Sequence, residues 1–222
     1  MPPGAAGSFI PAGQAASIQN TNQNNAASEF QDLSKDQKEI LDNGTSFLNM
    51  LSPRLPDNAT PEQKNEFALH DKQAVLKYIQ MQVPSSKRPP NMTMEDLAKS
   101  SLLTQQAKDA YNQAVVNGSP LDNDLRDALL KTGGQTILNN EGILSGNESG
   151  VANRAIRNRV DPSKAITNIR PSGIPSTSKL FPSQGASWQT AQAGQIVQGK
   201  SGPFIYRGGD KADPNNWTLI NK

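Results

Sequence analysis

The apolar residues between Phe30 and Leu51 recur at alternating steps of three and four. Phe30, Leu33, Ile40, Phe47 and Leu51, with Gln37 and Gly44 at the intervening steps, share one helical stripe. Ser28 is the predicted N-cap, Pro53 ends the run, and the polar and glycine interruptions predict a break near Asn43-Gly44. A second helix is predicted from "ATPEQ", where Thr60 caps, Pro61 takes the first helical position and Glu62 enters the first turn. It runs to about Val83 with Ala68, Val75, Leu76, Ile79 and Val83 on one side. A third starts at the capping box of Thr93 and Asp96 and continues through Leu103, Ala107, Ala110, Tyr111 and Ala114 to the "NGSP" turn. The fourth carries Leu121, Leu125, Ala128 and Leu129, with Gly133-Gly134 as its C-terminal stop; whether "QTILNN" prolongs it is open.

The pattern then changes. From 142 to 193 one short helix and a Pro/Ser/Gly-rich ribbon are predicted, a linker or a strip laid over a partner. Three short strands follow, "GQIVQ", "PFIYR" and "WTLI", separated by turn-rich stretches. Phe204 and Tyr206 alternate onto one face of their strand, as do Trp217 and Leu219. Such a small meander needs its aromatics docked, on the chain's own helices or on a partner, to be stable. Residues 1–27 offer almost nothing to bury and read as a disordered or partner-ordered arm. The expected fold is mainly α: arm 1–27, helical body 28–141, basic extended ribbon 142–193 and β docking tail 194–222.

Composition narrows the chemistry. Only 34% of the 222 residues are hydrophobic, which predicts small cores joined by open segments. Cysteine is absent and His70 is the single histidine, removing disulfides, thiol nucleophiles and ordinary zinc shells. The N-terminus has neither a basic leader nor a continuous apolar run, so no secretory signal or membrane anchor is read there, and a soluble protein is expected. The Asn-X-Ser/Thr matches at Asn43, Asn58, Asn91, Asn117 and Asn147 follow from abundance of those residues. The formal charge of +2 conceals an asymmetry: residues 29–148 carry 17 acidic and 12 basic side chains, residues 149–222 carry 3 and 10. The two parts therefore face different partners, or each other.

Three signals bear on chemistry. Glu148-Ser149-Gly150 resembles the tripeptide that carries the catalytic acid of lytic transglycosylases, yet a basic Pro/Ser stretch follows it, and an acid at a helix start accounts for it more simply. Gly208-Gly209-Asp210 has no following helix or Lys-Ser/Thr pair and reads as a hairpin turn rather than a phosphate nest. Arg154, Arg157, Arg159, Lys164, Arg170 and Lys179 face only Asp161 in opposition. They form either a solvated strip that docks on an acidic surface or a nucleic-acid contact without the aromatics for reading bases.

The tail "GQIVQGKSGPFIYRGGDKADPNNWTLI" resembles a short C-terminal element of tailed-bacteriophage virion proteins, particularly those packaged in the head or ejected with DNA. The matching residues are Gly194, Ile196, Val197, Tyr206, Arg207, Gly208, Gly209, Asp210, Asp213, Pro214 and Trp217. They span about 30 residues, and Lys211-Ala212 lengthens the junction relative to that pattern. The resemblance implies a non-enzymatic structural protein, made in the host cytoplasm and resident in the virion. It would be present in many copies in a symmetric assembly and carry no cofactor. It would bind head, portal or ejection proteins through Phe204, Tyr206, Arg207, Gly208, Gly209, Asp210 and Trp217. The alternatives are a peptidoglycan-cleaving virion enzyme using Glu148 and an internal protein that touches packaged DNA through the basic strip.

Overall fold

The computed structural model describes residues 11–176, 178, 180 and 187–220. The fold is mainly α. Helices α1 (Ala12–Leu51), α2 (Pro61–Gln82), α3 (Met94–Lys99), α4 (Gln105–Tyr111), α5 (Asn123–Arg157) and α6 (Pro162–Ala165) precede a sheet of β1 (Ile196–Gly199), β2 (Gly202–Tyr206) and β3 (Trp217–Leu219). A π turn at Asn112–Val116 extends α4.

Helices α1 and α5 form an antiparallel spine. Leu33 accepts a hydrogen bond from Asn147, and Glu29 pairs with Arg154. Farther along, Gly44 lies against Ile137, and Gly133 lies against Phe47. Helix α2 covers the C-terminal part of α1, with the Phe47 and Tyr78 rings 5.2 Å apart. It starts as its sequence predicts, with Thr60 as the cap, Pro61 at the first position and Glu62 in the first turn, and Gln63 adds a reciprocal capping box that the sequence reading did not name. One apolar cluster runs from Phe30 through Leu41, Leu48, Ile79 and Leu130 to Ile205 and Ile220 of the tail.

The structure departs from the sequence reading at four places, each for a physical reason. First, α1 begins at Ala12, so Ser28 lies within it and the described part of the arm is a helix rather than a disordered or partner-ordered segment. No proline occurs between Pro11 and Pro53, and once the packed C-terminal half is formed each added residue closes a further hydrogen bond. Residues 1–10 lie outside the described residues. Second, Gly44 does not break α1. A Cβ there would stand 2.6 Å from Ile137 Cγ1, so the glycine is the seat of a close helix contact.

Third, Gly133-Gly134 does not stop α5, which continues to Arg157 and takes the first part of the expected ribbon with it. A Cβ on Gly133 would meet Phe47 Cε1 at 2.4 Å, and one on Gly134 would meet Ile205 and Ile220 at 3.0 Å. Both glycines therefore admit neighbours in mid-helix. Fourth, the predicted third helix is two. Ser100 turns its hydroxyl onto the Leu97 carbonyl (2.7 Å) and closes α3, and Thr104 caps α4 through the Ala107 amide. The ribbon keeps its irregular character from Asn158 onward, apart from α6, and residues 177, 179 and 181–186 lie outside the described residues.

Candidate docking face and the buried charge clusters

The tail is an antiparallel meander in the order β1-β2-β3. Ile196 pairs with Ile205, Val197 with Phe204, Phe204 with Leu219 and Tyr206 with Trp217. Because strand side chains alternate, this register sorts the sheet into two faces. The inner face is isoleucine: Ile196, Ile205 and, just beyond β3, Ile220 are buried, with Ile205 and Ile220 seated over Gly134 of α5. The aromatics lie on the other face. Of the two surfaces left open for the aromatics, the chain's own helices are therefore not the one they meet, because the backbone gap at Gly134 is filled by branched aliphatic chains.

Five of the seven predicted docking residues build the tail itself. Tyr206 is buried beneath Trp217, ring centroids 4.7 Å apart, and its hydroxyl donates to the Gly209 carbonyl. Arg207 is buried; its guanidinium pairs with Asp127 of α5 and donates from Nε to the Ser52 carbonyl at the end of α1 (3.3 Å). Gly208 and Gly209 take φ of +95° and +93°, which glycine alone adopts without strain. Asp210 accepts from the Ala212 amide (2.9 Å), and its carbonyl accepts from Asn216, fixing the long turn. Lys211 and Ala212 lengthen that turn, and they let the Trp217 indole N–H donate to the Lys211 carbonyl (3.0 Å).

Phe204 and Trp217 remain on the outer face. With Trp188, Val197, Lys200 and Pro214 they line an open groove of about 510 Å³. Trp188 is 55% exposed, and sequence reasoning missed it; a lone tryptophan in a Ser/Gly/Gln stretch was the available signal. Both tryptophans of the chain border this groove.

The basic strip is not one surface. The Arg170 side chain is 3% exposed and inserted among carboxylates of α5: Nη1 lies 2.5 Å from Glu148, Nη2 reaches Glu141 at 3.1 Å and donates to Ser145 at 2.9 Å. Arg154 is half-buried and paired with Glu29. Arg157, Arg159 and Lys164 are exposed at the far end of the spine, and Lys179 lies outside the described residues. Nucleic-acid contact through Arg170 is thereby corrected: its charge serves to tie the ribbon to α5.

Glu148 is fully buried in mid-helix, not at a helix start, and both its carboxylate oxygens accept from Arg170. His70 is exposed on α2. Its neighbour Asp71 is buried and takes Arg126 Nη2 at 2.6 Å and the Leu121 amide at 2.7 Å; Arg126 also donates to the Leu51 carbonyl and lies 5.1 Å from the Phe67 ring. Burial pushes the Asp71 carboxyl up, and the Arg126 guanidinium opposes that shift. This cluster was missed because the two residues stand 55 positions apart and each reads singly as a surface charge.

Among the described residues no group of three or more His, Asp or Glu side chains is placed to hold a metal ion, and no helix is long and apolar enough to cross a membrane. No family model, curated protein or solved structure matches this chain.

Proposed function

We propose that this chain is a non-enzymatic structural component of a tailed-bacteriophage virion. It is made in the host cytoplasm and incorporated in several copies next to head, portal or ejection proteins. The observation that carries the reading is the outer face of the tail sheet: an open, largely apolar groove bordered by both tryptophans, with nothing of the described chain packed over it. Aromatic rings on a fixed sheet bury much surface at little entropic cost, the usual anchor of a protein contact. The body behind it is a scaffold, an α1–α5 spine in which, among the described residues, Glu148 is fully buried. A glycosidic acid must meet its substrate, and this carboxylate is held inside by Arg170.

A second reading, contact with packaged DNA, draws on the exposed Arg157, Arg159 and Lys164 at the opposite end. One experiment separates the two. Chains carrying Phe204→Ala, or Arg157→Glu with Lys164→Glu, are supplied during assembly of the phage that encodes the protein, and particle-bound chain is measured over a salt series. The virion-docking reading expects Phe204→Ala to lower incorporation several-fold at every salt concentration. Undiminished incorporation of Phe204→Ala, with salt-dependent loss of the charge-reversed chain, would give DNA contact first place.

A further inference from the structure

Taking the outer sheet face as a docking surface, as the proposed function does, we propose that its groove receives residues 1–10 of a second copy of this chain. The groove favours an apolar occupant without positive charge, since two lysines, Lys200 and Lys211, stand among its aromatic walls. Its walls are the rings of Trp188, Phe204 and Trp217 with Val197 and Pro214. Of the polar groups beside them, the Trp217 N–H is engaged on Lys211, the Tyr206 hydroxyl on Gly209 and the Lys211 ammonium on the Gln189 carbonyl, and Lys200 adds a positive charge to the wall. An extended segment rich in proline suits such walls, because it arrives with little conformational entropy to lose and lays its rings flat on aromatic ones.

The sequence holds such a segment. Residues 1–11, "MPPGAAGSFIP", contain no charged residue, and they carry Pro2, Pro3 and Pro11 with Phe9 and Ile10. The geometry then decides whose segment it is. Helix α1 has 40 residues and so spans about 60 Å, and its C-terminal end is the end that meets the tail, through Ser52 to Arg207 and Asn49 to Gly194. Ten extended residues reach at most about 35 Å, so the segment leaving Pro11 falls short of the groove of its own molecule. A neighbouring copy has no such restriction. Donor segment and acceptor groove sit at opposite ends of one spine, so the contact is head-to-tail and repeats into a ring or an open filament. This matches the multi-copy assembly of the proposed function.

The test uses the two tryptophans, since both report on the groove. The peptide MPPGAAGSFIPAG is titrated into the full chain, into a chain lacking residues 2–10 and into that shortened chain carrying Trp188→Ala while indole emission is followed; sedimentation velocity is run on the full and the shortened chain. The expected result is a saturable emission change that is strongest in the shortened chain, where no arm competes. Trp188→Ala should weaken peptide binding by at least about tenfold. Oligomers of the full chain should disappear in the shortened one while its circular dichroism stays helical. Three results would overturn the proposal: no emission change in the shortened chain, equal binding of a peptide with glycine in place of its prolines, or oligomers that survive deletion of residues 2–10. If the peptide fails to bind while Phe204→Ala is still lost from particles, the docking face stands and the arm is not its occupant.

Discussion

Tyr78 sits at the centre of the α1–α2 contact with none of its surface exposed, and burial pushes its hydroxyl up to about 12 from the ordinary 10. A phenol whose pKa is higher in the folded state lends stability that is complete below the unfolded value and is lost as pH rises toward the folded one. Holding the phenol proton to about 12 rather than 10 amounts to roughly 2–3 kcal/mol of stability, lost between about pH 10 and pH 12. Tyr78→Phe should remove that alkaline loss. Denaturant midpoints for the two chains at pH 9 and pH 11.5 check it, and parallel decline of both chains would show that Tyr78 is not the titrating group. The same residue illustrates what sequence can miss: it lies outside the predicted stripe of Val75, Leu76 and Ile79 yet packs against Phe47. Asp71 and Arg126 were illegible for a related reason, since charge is read from sequence one residue at a time whereas a buried ion pair exists only once two distant segments meet.

The helices themselves were largely legible because their caps are local. Thr60 with Gln63, Thr93 with Asp96, and Asp122 at the head of α5 use contacts spanning three residues. The strands fell within two residues of their predicted bounds, since the turns around them are written in Gly, Asp, Pro and Asn. Glycines inside helices were misread, because sequence cannot separate a glycine that ends a helix from one that admits a neighbour. Helix α5 tests this distinction within one element. A Cβ at Gly133 would stand 2.4 Å from the Phe47 ring, whereas one at Gly146 would meet nothing within 4 Å. Gly133→Ala is therefore expected to destabilise by about 1–3 kcal/mol, as overpacking does, and Gly146→Ala to stabilise by about 0.5–1 kcal/mol through helix propensity. Thermal unfolding of the two variants should move in opposite directions; a gain from Gly133→Ala would mean that the α1–α5 contact is looser than its geometry.

At the scale of the molecule, the candidate site was half legible: the tail element was found, but which of its faces meets the helices was left open, because aromatic and isoleucine residues alternate along β2 and nothing in one strand tells which side meets α5. That choice is made by Gly134, which leaves room for Ile205 and Ile220, and by Arg207, which reaches back to Asp127 and Ser52. The ribbon is held by a second basic residue, Arg170, set between Glu141 and Glu148. The basic C-terminal part and the more acidic helical part thus meet in three arginine ties, the half-buried Arg154–Glu29 pair and the two made by buried arginines, which join the two sides of the charge asymmetry. Removing the guanidinium in Arg170→Ala leaves Glu148 buried without it, a loss expected to cost about 3–5 kcal/mol. Glu148→Gln is the discriminating partner. It keeps the size and one accepting oxygen but removes the charge, so on the wild-type background it should cost less than Arg170→Ala, and it should recover part of the loss in the double variant. Limited proteolysis reads the same tie: cleavage of Arg170→Ala should appear first in residues 158–176 while the α1–α5 spine persists. If that segment is no more readily cut than in the unaltered chain, the ribbon is held by its apolar contacts at Val160, Ile166 and Ile174 rather than by the buried arginine.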